Sequence, residues 1–192
     1  MANTAPFLIA FVGWHNSGKT TVAVQVAALL RQQGFRVGVL KSTKESGLAP
    51  ERTGSDTSRY SQAGAMRVAL AAPDALIVRE HQKNGTNPAR RDPVALAHFL
   101  FPDMDIVLAE GFKYAEGLPK IEVRREGITE APVCGGASGE GVIALVCDTP
   151  VAGNLPCFRS EDSAGIARFI TGLREQHIKQ DPAACSANNH GP

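Results

Sequence analysis

The hydrophobic residues of this chain fall into short runs separated by polar segments. The runs are almost unbroken, which is typical of strands buried on both faces of a parallel sheet rather than of strands with one solvated face. Four such strands are predicted, over residues 7–12, 36–41, 105–111 and 142–147. The pattern therefore predicts an α/β fold built on a mostly parallel β-sheet.

Helices are predicted between and after these strands. Apolar residues recur at helical spacing over residues 21–33, and Gly34 follows in the position that commonly ends a helix. With the strands on either side, this helix predicts a right-handed β-α-β unit. Asp92 is a candidate N-cap in front of a proline, and residues 160–162 are the candidate cap of a last helix. Helices are therefore expected on both faces of the sheet.

The remaining segments are more polar or less regular. Residues 42–57 contain two glycines and one proline without an apolar period, which predicts a loop at the sheet edge where α/β proteins bind ligands. Residues 66–72 and 75–78 are apolar runs separated by a Pro-Asp pair, and they predict a hairpin at one edge of the sheet. Alternation of polar and apolar residues over residues 120–124 predicts a further strand. Residues 177–192 are predicted to be a disordered C-terminal tail.

A glycine-rich stretch directly after the first strand gives the strongest chemical signal. Residues 13–21 have the sequence G-W-H-N-S-G-K-T-T, which fits the phosphate-binding pattern G-x-x-x-x-G-K-S/T. Such a loop wraps a phosphate with backbone N–H groups, and Gly13 and Gly18 can adopt the conformations this requires. Lys19 would place a positive charge at the β- and γ-phosphates, and the Thr20 hydroxyl would bind Mg²⁺.

This motif defines the predicted domain and its nucleotide-binding residues. The alternative is a glycine turn without a ligand. Because strand, loop and helix follow one another in the order that the motif requires, residues 1–176 are predicted to form a single P-loop nucleotide-binding domain. The residues predicted to bind the nucleotide are Gly13, His15, Asn16, Ser17, Gly18, Lys19, Thr20 and Thr21.

Two carboxylates are candidates for the same site. Glu110 ends the predicted strand over residues 105–111, where P-loop proteins hold the second anchor of their Mg²⁺. Asp56 lies near the end of the polar loop. Its position fits either the N-cap of a short helix over residues 57–63 or a carboxylate that reaches the magnesium, and spacing alone favours the cap.

Composition narrows the class of protein. The chain of 192 residues has a formal net charge of +1, so no overall positive field indicates a nucleic-acid or membrane-surface partner. The first apolar run is too short for a signal peptide or a membrane span, which predicts a cytoplasmic protein. The four cysteines are widely separated and form no C-x-x-C pair, so the sequence does not support a zinc site.

Several stretches together resemble one family. The doubled threonine of the phosphate loop, the segments R-V-G-V-L-K and G-S-D-T-S-R-Y, and above all A-E-G-F-K-Y-A-E-G-L-P-K-I-E-V-R-R are similar to MobB, the molybdopterin-guanine dinucleotide biosynthesis adaptor. The resemblance extends from about Phe7 to Phe169. It implies a P-loop NTPase fold that binds GTP, a homodimer, and partners that include MobA, the guanylyltransferase that joins GMP to molybdopterin, and molybdoenzyme maturation proteins.

The resemblance also assigns site residues. It implies that Asp56 belongs to the nucleotide and magnesium site instead of capping a helix, and it supports the same site for Glu110. Lys19, Asp56 and Glu110 become the predicted catalytic residues. Thr20, Asp56 and Glu110 become the predicted metal ligands.

The predicted function is that of a GTP-binding protein with weak Mg²⁺-dependent GTPase activity, acting as an adaptor in molybdenum cofactor biosynthesis. Two alternatives use the same loop. One is a P-loop small-molecule kinase, for which residues 79–91 are the candidate lid, and the other is a nucleotide-dependent binding module without significant turnover. Lys41, Lys113 and Lys120 flank strand ends and are candidates for contact with the phosphate of a molybdopterin client.

The chain departs from the family in two ways. The family usually has a histidine-rich run directly after the lysine that ends the second strand, whereas Lys41 is followed here by S-T-K-E. The sequence also lacks an N-K-x-D segment of the sort that many GTPases use to recognise guanine. The preference for GTP over ATP is therefore implied by the resemblance alone.

Overall fold

The computed structural model describes residues 5–43, 55–65, 67–80, 92–125, 127, 131–133, 139–149 and 153–180. The chain separates into two compact units. One comprises Met1–Thr43 together with Ala89–Pro192, and the other comprises Lys44–Pro88.

Helices and strands follow one another along the described residues in the order that an α/β protein requires. In chain order they are β1 (Phe7–Val12), α1 (Lys19–Gln32), β2 (Val37–Lys41), α2 (Asp56–Gln62), β3 (Arg67–Ala71), β4 (Leu76–Glu80), α3 (Pro93–Leu100), β5 (Ile106–Glu110), β6 (Lys120–Val123), β7 (Val142–Val146), β8 (Cys157–Phe158) and α4 (Ser163–Gln180).

The first unit is built on a six-stranded sheet in the order β2-β5-β1-β6-β7-β8, in which every neighbouring pair is parallel. Alternate residues of β1 point to opposite faces. Phe7, Ile9 and Phe11 pack with apolar residues of α1 and α4, whereas the residues between them pack with Ala97 of α3. Both faces of β1 are thus covered, which explains its unbroken apolar run, whereas β2 at the edge of the sheet is only partly buried, with Val39 54 % exposed. The predicted α/β fold with a mostly parallel sheet and flanking helices is confirmed.

The order of the strands in the sheet differs from their order along the chain. β5 lies between β1 and β2, so α1 connects two strands that are not neighbours. Glu110 at the end of β5 consequently pairs in register with Phe11 on one side and with Lys41 on the other. This insertion brings the Glu110 carboxylate to the loop that follows β1.

The helix ends follow the predicted capping chemistry. Asp92 accepts a hydrogen bond from the Val94 N–H at 2.9 Å at the start of α3. Asp162 accepts one from the Gly165 N–H at 2.8 Å at the start of α4. Gly34 follows α1 with a φ of +92°, the left-handed conformation typical of a residue just past a helix end.

The C-terminal helix is longer than predicted. α4 continues through Gln180. The ring of His177 packs against the ring of Phe7, with centroids 5.7 Å apart, and this contact is not visible in the polar pattern of the segment. Residues 177–180 of the predicted tail are therefore helical, and residues 181–192 lie outside the described residues.

Two charged residues of β6 are buried, which the alternating pattern did not indicate. Lys120 and Glu122 each have a relative exposure of 1 %. The Lys120 Nζ donates to the Glu140 carbonyl, and burial lowers the pKa of this lysine. The Glu122 Oε1 accepts from the Val133 N–H at 2.8 Å. Lys120 is thus a buried structural residue, and the hypothesis that it contacts a pterin phosphate is not supported.

The second unit contains α2 and the antiparallel pair β3–β4. The predicted hairpin is therefore correct as a pairing, but its predicted place at an edge of the main sheet is wrong, because β3 and β4 form a separate two-stranded sheet. Ser55 caps α2, since its Oγ accepts from the Ser58 N–H at 3.2 Å. Asp56 is the first residue of the helix instead of its cap, with an 89 % exposed side chain 3.9 Å from Arg59.

A helix that crosses a bilayer needs about 20 mostly apolar residues. No helix in the part of the chain that the structure describes is both long enough and apolar enough to do so.

Candidate functional site

The glycine-rich loop connects the end of β1 to the start of α1. Gly13 has a φ of +145° and Gly18, the N-cap of α1, a φ of +90°, which L side chains rarely adopt. A Cβ at Gly13 would lie 2.3 Å from the Val123 carbonyl oxygen and 2.8 Å from Ser17 Oγ. The loop therefore lies directly against β6, and this approach requires glycine at position 13.

The start of α1 is suited to an anion. Its first turn contains no acidic residue, and Gly18 has no side chain to accept a hydrogen bond from the first N–H groups. These N–H groups and the positive end of the helix dipole attract negative charge. A phosphate is the usual ligand of such a helix end when a glycine-rich loop precedes it.

Lys19 lies beneath the loop in a half-buried position. Its Nζ donates to the Trp14 carbonyl and to Ser17 Oγ, the latter at 3.4 Å. Burial lowers the pKa of Lys19, the nearby Glu110 carboxylate raises it, and the ammonium groups of Lys41 and Lys113 lower it further. Positive charge is thus in excess around one carboxylate, which favours a polyanionic ligand.

The Glu110 carboxylate contacts two other side chains of the site. Its Oε1 accepts from the Thr20 hydroxyl at 2.7 Å and lies 3.1 Å from the Lys41 Nζ. The side chain of Glu110 is only 12 % exposed. The structure therefore brings together Thr20 and Glu110, which lie ninety residues apart in the chain.

The donor set fits magnesium. A hydroxyl oxygen and a carboxylate oxygen are the ligands that Mg²⁺ takes from a protein when phosphates and water complete its shell. In the part of the chain that the structure describes, no group of three or more His, Cys, Asp or Glu side chains could hold a metal ion by itself. Thr20 and Glu110 would hold Mg²⁺ together with a nucleotide.

Comparison with known proteins identifies the family. The model of the family "Molybdopterin guanine dinucleotide synthesis protein B", MobB, matches residues 8–148. This chain belongs to the MobB family.

Relatives of this MobB-family chain are found among curated proteins and solved structures. It is 27 % identical to the molybdopterin-guanine dinucleotide biosynthesis adapter protein of Escherichia coli over 169 residues, which cover 85 % of this chain and 90 % of that protein. It is 34 % identical to the probable adapter protein of Bacillus subtilis over 128 residues, which cover 66 % and 70 % of the two chains. A crystal structure of molybdopterin-guanine biosynthesis protein B superposes with a TM-score of 0.65 and 26 % identity, covering 86 % of this chain and 99 % of the other.

The MobB-family chain also has an aromatic and cationic cluster at this site that the sequence did not reveal. The Lys113 Nζ lies 3.6 Å from the centroid of the Trp14 ring and 5.0 Å from that of Tyr114. The Trp14 Nε1 donates to the Ala131 carbonyl at 2.8 Å. Phe112 has a φ of +56°, which turns the chain sharply after Glu110 and directs Lys113 over the loop.

The remaining predicted site residues are exposed, belong to the second unit or lie outside the described residues. His15, Asn16 and Thr21 are exposed, and Asn16 has a φ of +59°, which bends the loop. Asp56 belongs to the second unit, so its role in the nucleotide site stays a prediction. Residues 81–91, most of the candidate kinase lid, lie outside the described residues.

Proposed function

We propose that this chain is a magnesium-dependent GTP-binding protein with weak GTPase activity that acts as an adaptor in the synthesis of molybdopterin guanine dinucleotide. The observation that supports this most directly is the 2.7 Å contact between the Thr20 hydroxyl and Glu110 beside a glycine-rich loop. It joins the two oxygen donors that a Mg²⁺–nucleotide site requires. The pathway is inferred from the family, because the E. coli relative is described as a molybdopterin-guanine dinucleotide biosynthesis adapter.

The residues of the site would act mainly by positioning and charge. The loop N–H groups would hold the β-phosphate, and Lys19 would leave the Trp14 carbonyl to contact the β- and γ-phosphates. Mg²⁺ bound between Thr20 and Glu110 would neutralise charge on these phosphates. Glu110 contacts Thr20 and would be occupied by Mg²⁺, so no described residue of the site is an evident general base for the attacking water, and slow turnover would follow.

Guanine specificity and the partners complete the proposal. Preference for GTP over ATP is carried over from the family, whose pathway handles guanine dinucleotides. The proposed partners are a MobA-type guanylyltransferase and molybdoenzyme maturation proteins, in the cytoplasm. Lys41 and Lys113 remain candidates for the phosphate of a molybdopterin client, since both are at least partly exposed at the site.

The proposed homodimer has support in the second unit. Its hairpin exposes Leu76 by 68 %, Ile77 by 61 % and Val78 by 50 %. A two-stranded sheet is only marginally stable alone, and exposed apolar strands favour pairing with another chain. A second copy of this hairpin would offer the same apolar surface.

Replacing Glu110 with glutamine tests the catalytic part of the proposal. The variant keeps an acceptor for Thr20 but loses the charge that would hold Mg²⁺, so release of phosphate from GTP should fall by about tenfold or more. Exposed Glu175 on α4 provides the control Glu175→Gln, for which wild-type rates are expected. Phosphate release that does not change in Glu110→Gln would contradict the assigned role of Glu110.

The same assay separates the alternatives. Transfer of the γ-phosphate to a small molecule instead of water would support the kinase. Nucleotide binding without phosphate release by the wild-type protein would support a binding module.

A further inference from the structure

Lys41 forms an ion pair with Glu110 that the sequence of β2 alone does not indicate. It is the last residue of β2 and pairs in register with Glu110, the last residue of β5. Its Nζ lies 3.1 Å from Glu110 Oε1, although 56 % of the Lys41 side chain is exposed and could be solvated freely. The ammonium group is therefore held at the site by the carboxylate.

The same carboxylate oxygen is used twice. Glu110 Oε1 accepts from the Thr20 hydroxyl at 2.7 Å as well as from Lys41. These are the two groups that would change partners when a magnesium ion binds between Thr20 and Glu110. Two cations in contact with one carboxylate oxygen repel each other, so binding of the ion would favour release of Lys41 from Glu110 Oε1.

A released Lys41 would find a new partner nearby. A Mg²⁺ ion held by Thr20 and Glu110 would neutralise charge on the phosphates, so the terminal phosphate would lie on the Glu110 side of the loop, beside the ends of β5 and β2. The sheet order puts Lys41 on that side, and β6 and β7 on the other. The four-carbon stem of a lysine lets its ammonium move several ångströms without a change in the backbone.

We propose that Lys41 is a second phosphate-binding lysine, which pairs with Glu110 in the structure and moves to the terminal phosphate when a magnesium–nucleoside triphosphate binds. This inference rests on the proposed function. Its consequence is selectivity for the triphosphate. A diphosphate offers no terminal phosphate to Lys41, so Lys41 would stay on Glu110 and compete with magnesium.

The test compares a diphosphate with a triphosphate in the variant Lys41→Met. Affinities for GDP and for a non-hydrolysable GTP analogue, each with Mg²⁺, can be followed by the fluorescence of Trp14, the chain's single tryptophan, which lies in the loop. Loss of one charge-assisted hydrogen bond should weaken binding of the analogue on the order of tenfold to a hundredfold. Affinity for Mg²⁺–GDP should stay the same or rise, because Glu110 is freed.

Two further variants complete the test. Lys179→Met removes the same charge from an exposed position on α4, whose end packs near Phe7 at the start of β1, away from the loop. It should bind both nucleotides like the wild type. Lys41→Arg keeps the charge and should recover part of the affinity for the analogue.

The outcomes distinguish this inference from the function on which it rests. If Lys41→Met loses affinity for both nucleotides equally, or for neither, while the wild type binds them, the inference about Lys41 is overturned and the proposed function stands. If the folded wild-type protein binds neither nucleotide, both are overturned. Circular dichroism of Lys41→Met confirms that the variant is folded.

Discussion

Replacing Lys19 with alanine should weaken GTP binding by about a hundredfold or more, the largest functional effect that we expect from one substitution. The Lys19 ammonium donates to the Trp14 carbonyl and to Ser17 Oγ in the structure, so it lies within the loop that would enclose the phosphates. Each charge-assisted hydrogen bond to a phosphate contributes about 1.5–3 kcal/mol, and Lys19 would make more than one. Alanine removes all of them.

The effect on the fold should be much smaller. Alanine leaves the Trp14 carbonyl, on a partly exposed residue, and the buried Ser17 Oγ without this donor, but water can enter the space left by the lysine, so the free energy of unfolding should fall by only about 1 kcal/mol. Titration with GTP in Mg²⁺ and urea unfolding of the same samples separate the two effects. Lys179→Ala is the charge-matched control and should resemble the wild type. A Lys19→Ala protein that binds GTP as tightly as the wild type would place the nucleotide elsewhere.

Replacing Gly13 with alanine should have the largest effect on the structure of the site. A methyl group there would lie 2.3 Å from the Val123 carbonyl oxygen and 2.8 Å from Ser17 Oγ, in addition to the strain of a φ of +145°. The backbone of β6 cannot yield easily, because Val123 is buried in the sheet. We expect the free energy of unfolding to fall by about 2–4 kcal/mol and GTP binding to be lost as the loop moves away from β6.

Gly34 provides a matched control for this change. Its φ is +92°, but a Cβ there would have no heavy atom within 4 Å. Gly34→Ala therefore isolates the backbone strain, which should cost about 1–2 kcal/mol and leave nucleotide binding intact. Urea unfolding of both variants measures the difference. Equal losses of stability would show that the contact with β6 is not what requires glycine at position 13.

The elements that could be predicted from the sequence are those with a strong local signal. β1 and β5 are unbroken apolar runs, and α3 begins with Asp92 and a proline, so pattern and capping chemistry defined them within a residue or two. The phosphate loop was predicted from its glycines and Lys19. The two residues of β8 were too few to form a pattern.

The features that could not be predicted depend on which strands become neighbours. Only the insertion of β5 between β1 and β2 places Glu110 within reach of both Thr20 and Lys41. The signal that could have indicated this pair is that one predicted strand ends in Lys41 and another in Glu110, since the ends of parallel strands lie at one edge of a sheet. The stacking of Lys113 on Trp14 depends on the turn at Phe112, for which no sequence rule exists.

Ser42 directly follows the last residue of β2. Its N–H donates to the Glu110 carbonyl oxygen at 2.9 Å. The pairing of β2 with β5 thus continues one residue beyond Lys41, which holds the backbone at the tip of β5. This contact does not depend on the side chain at position 42, because only the backbone takes part.

The most direct test of the central claim is a thermal titration of the wild-type protein with GTP and with ATP, each with Mg²⁺ and with a chelator. At about a hundredfold excess over its Kd, a ligand that binds only the folded state stabilises it by about 2.7 kcal/mol, which corresponds to a rise in Tm of roughly 5–10 °C. We predict this rise for GTP with Mg²⁺, a clearly smaller one for ATP, and little change without Mg²⁺. No rise with GTP, or an equal or larger rise with ATP, would contradict the account.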